Sequence, residues 1–121
     1  MRILEFGDKG NRKLVLIHGF QSPYQIWEPY IEHYKRDFHI LIPVLPGHDP
    51  DRKEDFVSFA DTAEEFEKYV VPKYGRHLYA VYGMSMGGVL AAELWQSGRL
   101  ELEKVVLDGT PLMSMNGILK K

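Results

Sequence analysis

A serine between two methionines and two glycines is the first feature of this sequence that could do chemistry. The stretch GMSMG spans residues 83–87 and places Ser85 two residues from a glycine on either side. Between a strand and a helix, such a turn exposes the serine hydroxyl and aims the free amides of the helix N-terminus at an anionic oxygen. Taken alone, the pattern is equally compatible with a nucleophile and with a glycine-rich loop in which Ser85 caps the helix.

The elements around this turn must hold it in place. Short apolar runs predict buried strands at 14–17, 38–42, 78–82 and 105–107, with an edge strand at 2–6. Helical patterns lie between them, from Ser22 with Pro23 to Tyr34, from Ser58 to Gly75, and from Met86 to Ser97. One apolar face is expected to contain Trp27, Tyr30, Ile31 and Tyr34, and Glu64, Glu65 and Glu67 are expected to face solvent. This alternation predicts an α/β fold with a mostly parallel sheet and helices on both faces.

A second motif follows the first buried strand. His-Gly-Phe occupies 18–20, and the carboxyl ends of parallel strands meet at one edge of the sheet, so this loop and Ser85 are expected on the same edge. The backbone N–H groups of Phe20 and Met86 could then bind a developing oxyanion together. His18 is expected to shape the loop rather than to transfer a proton.

Composition limits the function classes. The 121 residues suit a single domain, 1–121, and a net charge of −2 with scattered basic residues argues against nucleic-acid binding. The chain has no cysteine, which excludes disulfides and thiolate metal sites. We expect a cytoplasmic protein without a membrane span, metal or cofactor. Asp49 and Asp51, near His48, lack a ligand spacing and are expected to be solvated loop charges.

Four motifs together resemble the α/β-hydrolase superfamily. HGF at 18–20, LPGHD at 45–49, GMSMGG at 83–88 and VVLDG at 105–109 occur in that family's order, and the resemblance covers residues 13 to about 112. It implies that Ser85 is the nucleophile, that Phe20 and Met86 supply the oxyanion amides, and that the substrate is a small molecule with an ester, thioester or related acyl bond. Asp108 stands where some members place the triad acid, although a structural role for it is favoured.

The base that would activate Ser85 does not follow it. In this family the order is serine, acid, histidine, whereas the five histidines of this chain all precede Ser85. His33 and His39 belong to a predicted helix and strand, and His77 lies at the opposite edge of the sheet. His18 and His48 are on the correct edge, but their motifs have other roles. We therefore expect an N-terminal portion of a hydrolase, inactive alone, that lacks the C-terminal strands, the histidine and the usual acid.

Two further expectations follow from the missing strands. The strand at 105–107 would be an exposed sheet edge, open to self-association or to a complementing chain. The alternative to a hydrolase is a non-catalytic binding module, in which Met84, Met86, Met113 and Met115 would line an adaptable pocket. A transferase or lyase on the same fold is a third possibility, because a fold does not determine a reaction.

Overall fold

In the part of the chain that the structure describes, a pair of strands is followed by alternating helices and strands, five strands and three α-helices in all. The computed structural model describes residues 1–19, 23–51 and 53–109. The elements are β1 (Arg2–Phe6), β2 (Arg12–Ile17), a 3-10 turn (Tyr24–Trp27), α1 (Glu28–Tyr34), β3 (Phe38–Val44), α2 (Phe59–Tyr74), β4 (His77–Met84), α3 (Gly87–Ser97) and β5 (Glu101–Asp108). The strand order is β1-β3-β2-β4-β5, with β1 antiparallel to β3 and the other neighbours parallel. The predicted α/β fold with a mostly parallel sheet is confirmed.

The core lies on both faces of the sheet, because the central strands are buried on each side. On one face, α2 and α3 pack Phe66 and Leu90 against Val15 of β2. On the other face, Trp27 and Ile31 pack against neighbouring side chains of β2 and β3. This two-sided packing confirms the prediction that helices cover both faces, and it explains why residues 14–17 of β2 form an unbroken apolar run.

The predicted ends of α2 are confirmed. The Ser58 hydroxyl accepts the backbone N–H of Asp61 at 3.0 Å, and Gly75, with φ of 85°, ends the helix. The outward position predicted for Glu67 is wrong, because this residue is only 4% exposed. Its carboxylate accepts hydrogen bonds from Ser97, the last residue of α3, and from Arg99 in the loop between α3 and β5.

The first helical segment is shorter than the sequence pattern predicts. A 3-10 turn precedes α1, and Pro29 lies in the first turn of α1, where its missing N–H needs no partner. Trp27 and Ile31 are buried, whereas Tyr30 is 50% and Tyr34 37% exposed, so the expected continuous apolar face is only partly buried. The predicted N-cap, Ser22, lies outside the described residues.

Strand β5 lies at one edge of the sheet within the described ranges. It pairs with β4, and Val106 near its centre is 43% exposed. The expected edge position of this strand is therefore seen in the described residues, while association through that edge stays a prediction.

The described helices are short. The longest, α2, has 16 residues, fewer than the roughly 20 that cross a bilayer. Of the helices in the described residues, none combines the length and the apolar character that a membrane span requires. The same residues contain no group of three or more His, Asp or Glu side chains placed to bind a metal ion.

Candidate active site

The turn between β4 and α3 holds Ser85 in an uncommon conformation. β4 ends at Met84 and α3 begins at Gly87, so Ser85 and Met86 form the whole connection. Ser85 has a φ of 53°, the one positive value among the non-glycine residues that the structure describes, and its side chain is exposed. The left-handed conformation costs an L-residue about 1–2 kcal/mol, so the surrounding contacts must impose it.

Two glycines allow the strand and the helix to approach each other closely enough for this turn. A Cβ at Gly83 would lie 2.5 Å from Cα of Gly88, and a Cβ at Gly87 would lie 2.5 Å from the carbonyl oxygens of Ile17 and His18. Both contacts are with backbone atoms, which cannot move aside as a flexible side chain could. The spacing Gly-x-Ser-x-Gly is therefore a packing requirement of this turn, beyond any need for flexibility.

Backbone hydrogen bonds fix the orientation of the turn. The N–H of Ser85 donates to the main-chain oxygen of Asp108 at 2.7 Å, and the N–H of Gly88 donates to the main-chain oxygen of Ser85 at 3.0 Å. Met86 is the N-cap of α3, at the end of the helix where amides have no intrahelical acceptor. Its N–H is thus available to an anion beside Ser85. Phe20, the other expected oxyanion donor, lies outside the described residues, and its role stays a prediction.

The strain at Ser85 leads to a stability prediction. We expect Ser85→Gly to be more stable than Ser85→Ala by about 1 kcal/mol, because both lack the hydroxyl but only glycine tolerates a φ of 53°. Urea unfolding of the two variants measures the difference. Equal stabilities would show that the turn relaxes to an unstrained conformation in solution.

Asp108 ends β5 beside the turn and has a side-chain partner that the sequence does not reveal. The hydroxyl of Tyr82 donates a hydrogen bond to Oδ2 of Asp108. This hydrogen bond, with burial, raises the pKa of Tyr82 to about 12. Parallel register brings the two together by pairing Met84 with Asp108, and no local pattern in the sequence specifies that register.

His18 is buried and bonded through both ring nitrogens. Its Nε2 accepts the N–H of Leu45 at 3.2 Å, so Nδ1 carries the proton and donates to the oxygen of Gly19 at 2.8 Å. This arrangement ties the loop after β2 to the loop after β3. It agrees with the expectation that His18 shapes the loop rather than transfers a proton.

The loop after β3 is held more firmly than the sequence suggests. His48 lies beside His18, with ring centroids 5.4 Å apart, and its Nδ1 is 3.4 Å from the oxygen of Pro46. The expectation that Asp49 is a solvated loop charge is wrong. Its side chain is fully buried, with Oδ2 2.9 Å from Nε of Arg2 and Oδ1 accepting Nη2 at 3.0 Å. Asp51, by contrast, is exposed.

The other three histidines lie away from this edge of the sheet. The buried His39, near the start of β3, contacts Glu5 at 2.8 Å through Nε2, and the same carboxylate accepts the hydroxyls of Tyr69 and Tyr74. Burial raises the pKa of Glu5, but these hydrogen bonds outweigh burial and lower it. His77, at the start of β4, pairs with Glu103. His33 lies in α1.

Comparison with known proteins places this geometry in a family. The sequence profile of the alpha/beta hydrolase family matches residues 14–119. A pimeloyl-(acyl-carrier protein) methyl ester esterase from Photorhabdus laumondii subsp. laumondii is 30% identical over 87 residues, which are 72% of this chain and 31% of that protein. The enzyme of the same name from Legionella pneumophila (strain Corby) is 33% identical over 81 residues, 67% of this chain and 30% of that protein.

The fold is also similar to solved structures. The crystal structure of an alpha/beta hydrolase family protein from Desulfitobacterium hafniense superposes with a TM-score of 0.86 at 28% identity, covering 90% of this chain and 44% of that one. This chain spans about a third of the length of the two methyl ester esterases. The profile match and the strand order around the Ser85 turn agree, and the chain belongs to the alpha/beta hydrolase family.

Proposed function

We propose that this chain is the nucleophile-bearing portion of a serine hydrolase that cleaves an ester, thioester or related acyl bond. The observation that carries the proposal is the conformation of Ser85. A non-glycine residue at a φ of 53°, exposed at the carboxyl edge of the sheet and held by glycine contacts on both sides, has the properties of a nucleophile turn. A residue that merely capped the helix would need neither the strain nor the exposure.

In this proposal each group at the edge has a distinct task. The Ser85 oxygen attacks the substrate carbonyl while a base takes the hydroxyl proton, and the acyl group is transferred to serine as the leaving group departs. The N–H groups of Met86 and Phe20 bind the oxyanion, and losing one such donor typically raises the barrier by about 2.7–4 kcal/mol. Asp108 would orient the base.

We further propose that the base comes from polypeptide outside residues 1–121. His18 uses both nitrogens to join two loops, and His39 and His77 are engaged at the amino ends of their strands. His48 remains the internal alternative, because it lies at the correct edge. The ester-cleaving relatives support an acyl substrate, since two of them carry the name methyl ester esterase.

The test is labelling of Ser85 by a fluorophosphonate, followed by intact mass and peptide mapping. In this reaction the serine oxygen bonds to phosphorus, fluoride leaves, and the serine proton passes to a base. We expect almost no adduct on the 121-residue chain in buffer, because a serine without its histidine reacts slower by several orders of magnitude. Added imidazole, as a replacement base, should produce an adduct on Ser85 in the wild type and none in Ser85→Ala.

Two outcomes would contradict parts of this proposal. An adduct that forms without imidazole and disappears in His48→Gln would identify His48 as the base. Wild-type protein that forms no adduct even with imidazole, while its circular dichroism shows a folded chain, would favour the non-catalytic binding module.

A further inference from the structure

Tyr82 lies three residues before the proposed nucleophile, Ser85, and its hydrogen bond to Asp108 connects it with the turn that holds Ser85. Asp108 accepts the Tyr82 hydroxyl through its carboxylate and the Ser85 N–H through its main-chain oxygen. One residue at the end of β5 therefore contacts both the strand that leads to the turn and the turn itself. A shift of the Asp108 backbone would therefore change the position of Ser85.

The tyrosine is the fixed member of the pair. Its ring packs edge-on against Trp27, with centroids 5.6 Å apart and an interplanar angle of 88°, and Trp27 is only 2% exposed. The Asp108 side chain is exposed, so without the hydroxyl it would sample several rotamers. A carboxylate can accept up to about four hydrogen bonds, and Asp108 keeps capacity for another donor after binding Tyr82.

We propose that Tyr82 is a positioning residue whose hydroxyl holds the Asp108 carboxylate ready to accept an imidazole N–H from the base that deprotonates Ser85. The inference rests on the proposed function, in which Asp108 orients the base, and deepens it by assigning the orientation of that carboxylate to Tyr82. The assignment favours a catalytic role for Asp108 over the structural role expected from the sequence.

The Tyr82 hydroxyl remains a hydrogen-bond donor over a wide range of pH. Because the pKa of Tyr82 is raised to about 12, the hydroxyl stays protonated at neutral and mildly alkaline pH. A group with a raised folded-state pKa keeps its interaction below the unfolded value, here about 10, and loses it as pH rises through about 12. The effect of removing the hydroxyl should therefore be the same between about pH 7 and 9.

The test measures how the rate of Ser85 labelling by the fluorophosphonate depends on imidazole concentration. We expect Tyr82→Phe to slow imidazole-dependent labelling by roughly fivefold, as for the loss of one hydrogen bond, and to raise the half-saturating imidazole concentration. Asp108→Asn should slow it by about tenfold or more. Tyr79→Phe is the matched control, since it removes a hydroxyl from the same strand, and its rate should equal that of the wild type. Tyr82→Phe keeps the ring against Trp27 and should fold.

A second measurement does not depend on serine reactivity. The ¹³Cζ signal of Tyr82 should titrate near pH 12 in the wild type and closer to its ordinary value in Asp108→Asn. Imidazole should shift the amide signals of Asp108 and Gly109 in the wild type, and more weakly in Tyr82→Phe.

The outcomes separate this inference from the proposed function. If imidazole produces the Ser85 adduct in the wild type and Tyr82→Phe is labelled at the same rate as Tyr79→Phe, the role of Tyr82 is overturned and Ser85 remains the nucleophile. A wild type that forms no adduct even with imidazole overturns the nucleophile, and the imidazole titration then tests only whether Tyr82 holds the Asp108 carboxylate ready to accept an imidazole N–H. If imidazole leaves the Asp108 and Gly109 signals unchanged, that inference is wrong.

Discussion

Gly87→Ala should both destabilise the protein and suppress the imidazole-dependent labelling of Ser85. The new Cβ would lie 2.5 Å from the carbonyl oxygens of Ile17 and His18, so α3 must move away from the end of β2. Overpacking of this kind typically destabilises a protein by about 1–3 kcal/mol. We expect a loss in the upper part of that range, because the contacting atoms belong to the backbone and cannot rotate away as a side chain could. The same movement shifts the helix N-terminus relative to the loop after β2.

The functional loss should be larger than the stability loss predicts. Ser85 and Met86 connect β4 to α3, while residues 18 and 19 follow β2, and an error of about 1 Å in the position of catalytic groups can reduce a rate roughly a hundredfold. Urea unfolding and the rate of adduct formation measure the two effects. Gly10→Ala is the control, because the nearest contact of its Cβ is the flexible Asp8 carboxylate at 3.2 Å. Gly87→Ala behaving like Gly10→Ala would mean that the close approach does not exist in solution.

Asp49→Ala should cost about 3 kcal/mol of unfolding free energy. Its carboxylate is fully buried against Arg2, and removing one member of a buried ion pair leaves the other charge without compensation, typically at about 3–5 kcal/mol. The side chain of Arg2 is 28% exposed and can still reach water, which favours the lower end of that range. The loop that carries the Leu45 N–H to His18 should loosen as well.

Asp51→Ala is the matched control for this pair. Asp51 lies two residues further along and 3.4 Å from Arg2, but its side chain is 74% exposed, so its loss should cost less than about 1 kcal/mol. Urea unfolding compares the two variants directly. Replacing both partners, as in Arg2→Met with Asp49→Leu, should recover part of the loss because no charge stays unpaired. Equal effects of Asp49→Ala and Asp51→Ala would contradict a buried pair.

Local signals in the sequence were sufficient for most of the fold. Ser58 and Gly75 mark the ends of α2 because both the serine cap and the positive-φ glycine stop depend only on residues within one turn of the helix end. β5 is the instructive exception. Only 105–107 reads as a strand, whereas the structure extends it over Glu101–Asp108, because an edge strand is partly exposed and tolerates charges that hide its pattern.

The same distinction between local sequence and tertiary structure applies to the candidate site. The sequence by itself determined the Ser85 turn, since the two glycines, the preceding apolar strand and the following helix are neighbours in the chain. Only the tertiary structure decided the partners of that turn. Tyr82 and Asp108 are 26 residues apart and Arg2 and Asp49 are 47 apart, and Glu67 is buried by a loop 32 residues later. The physical reason is register: which side chains meet depends on how strands align and helices dock, and neither is encoded in a short stretch of residues.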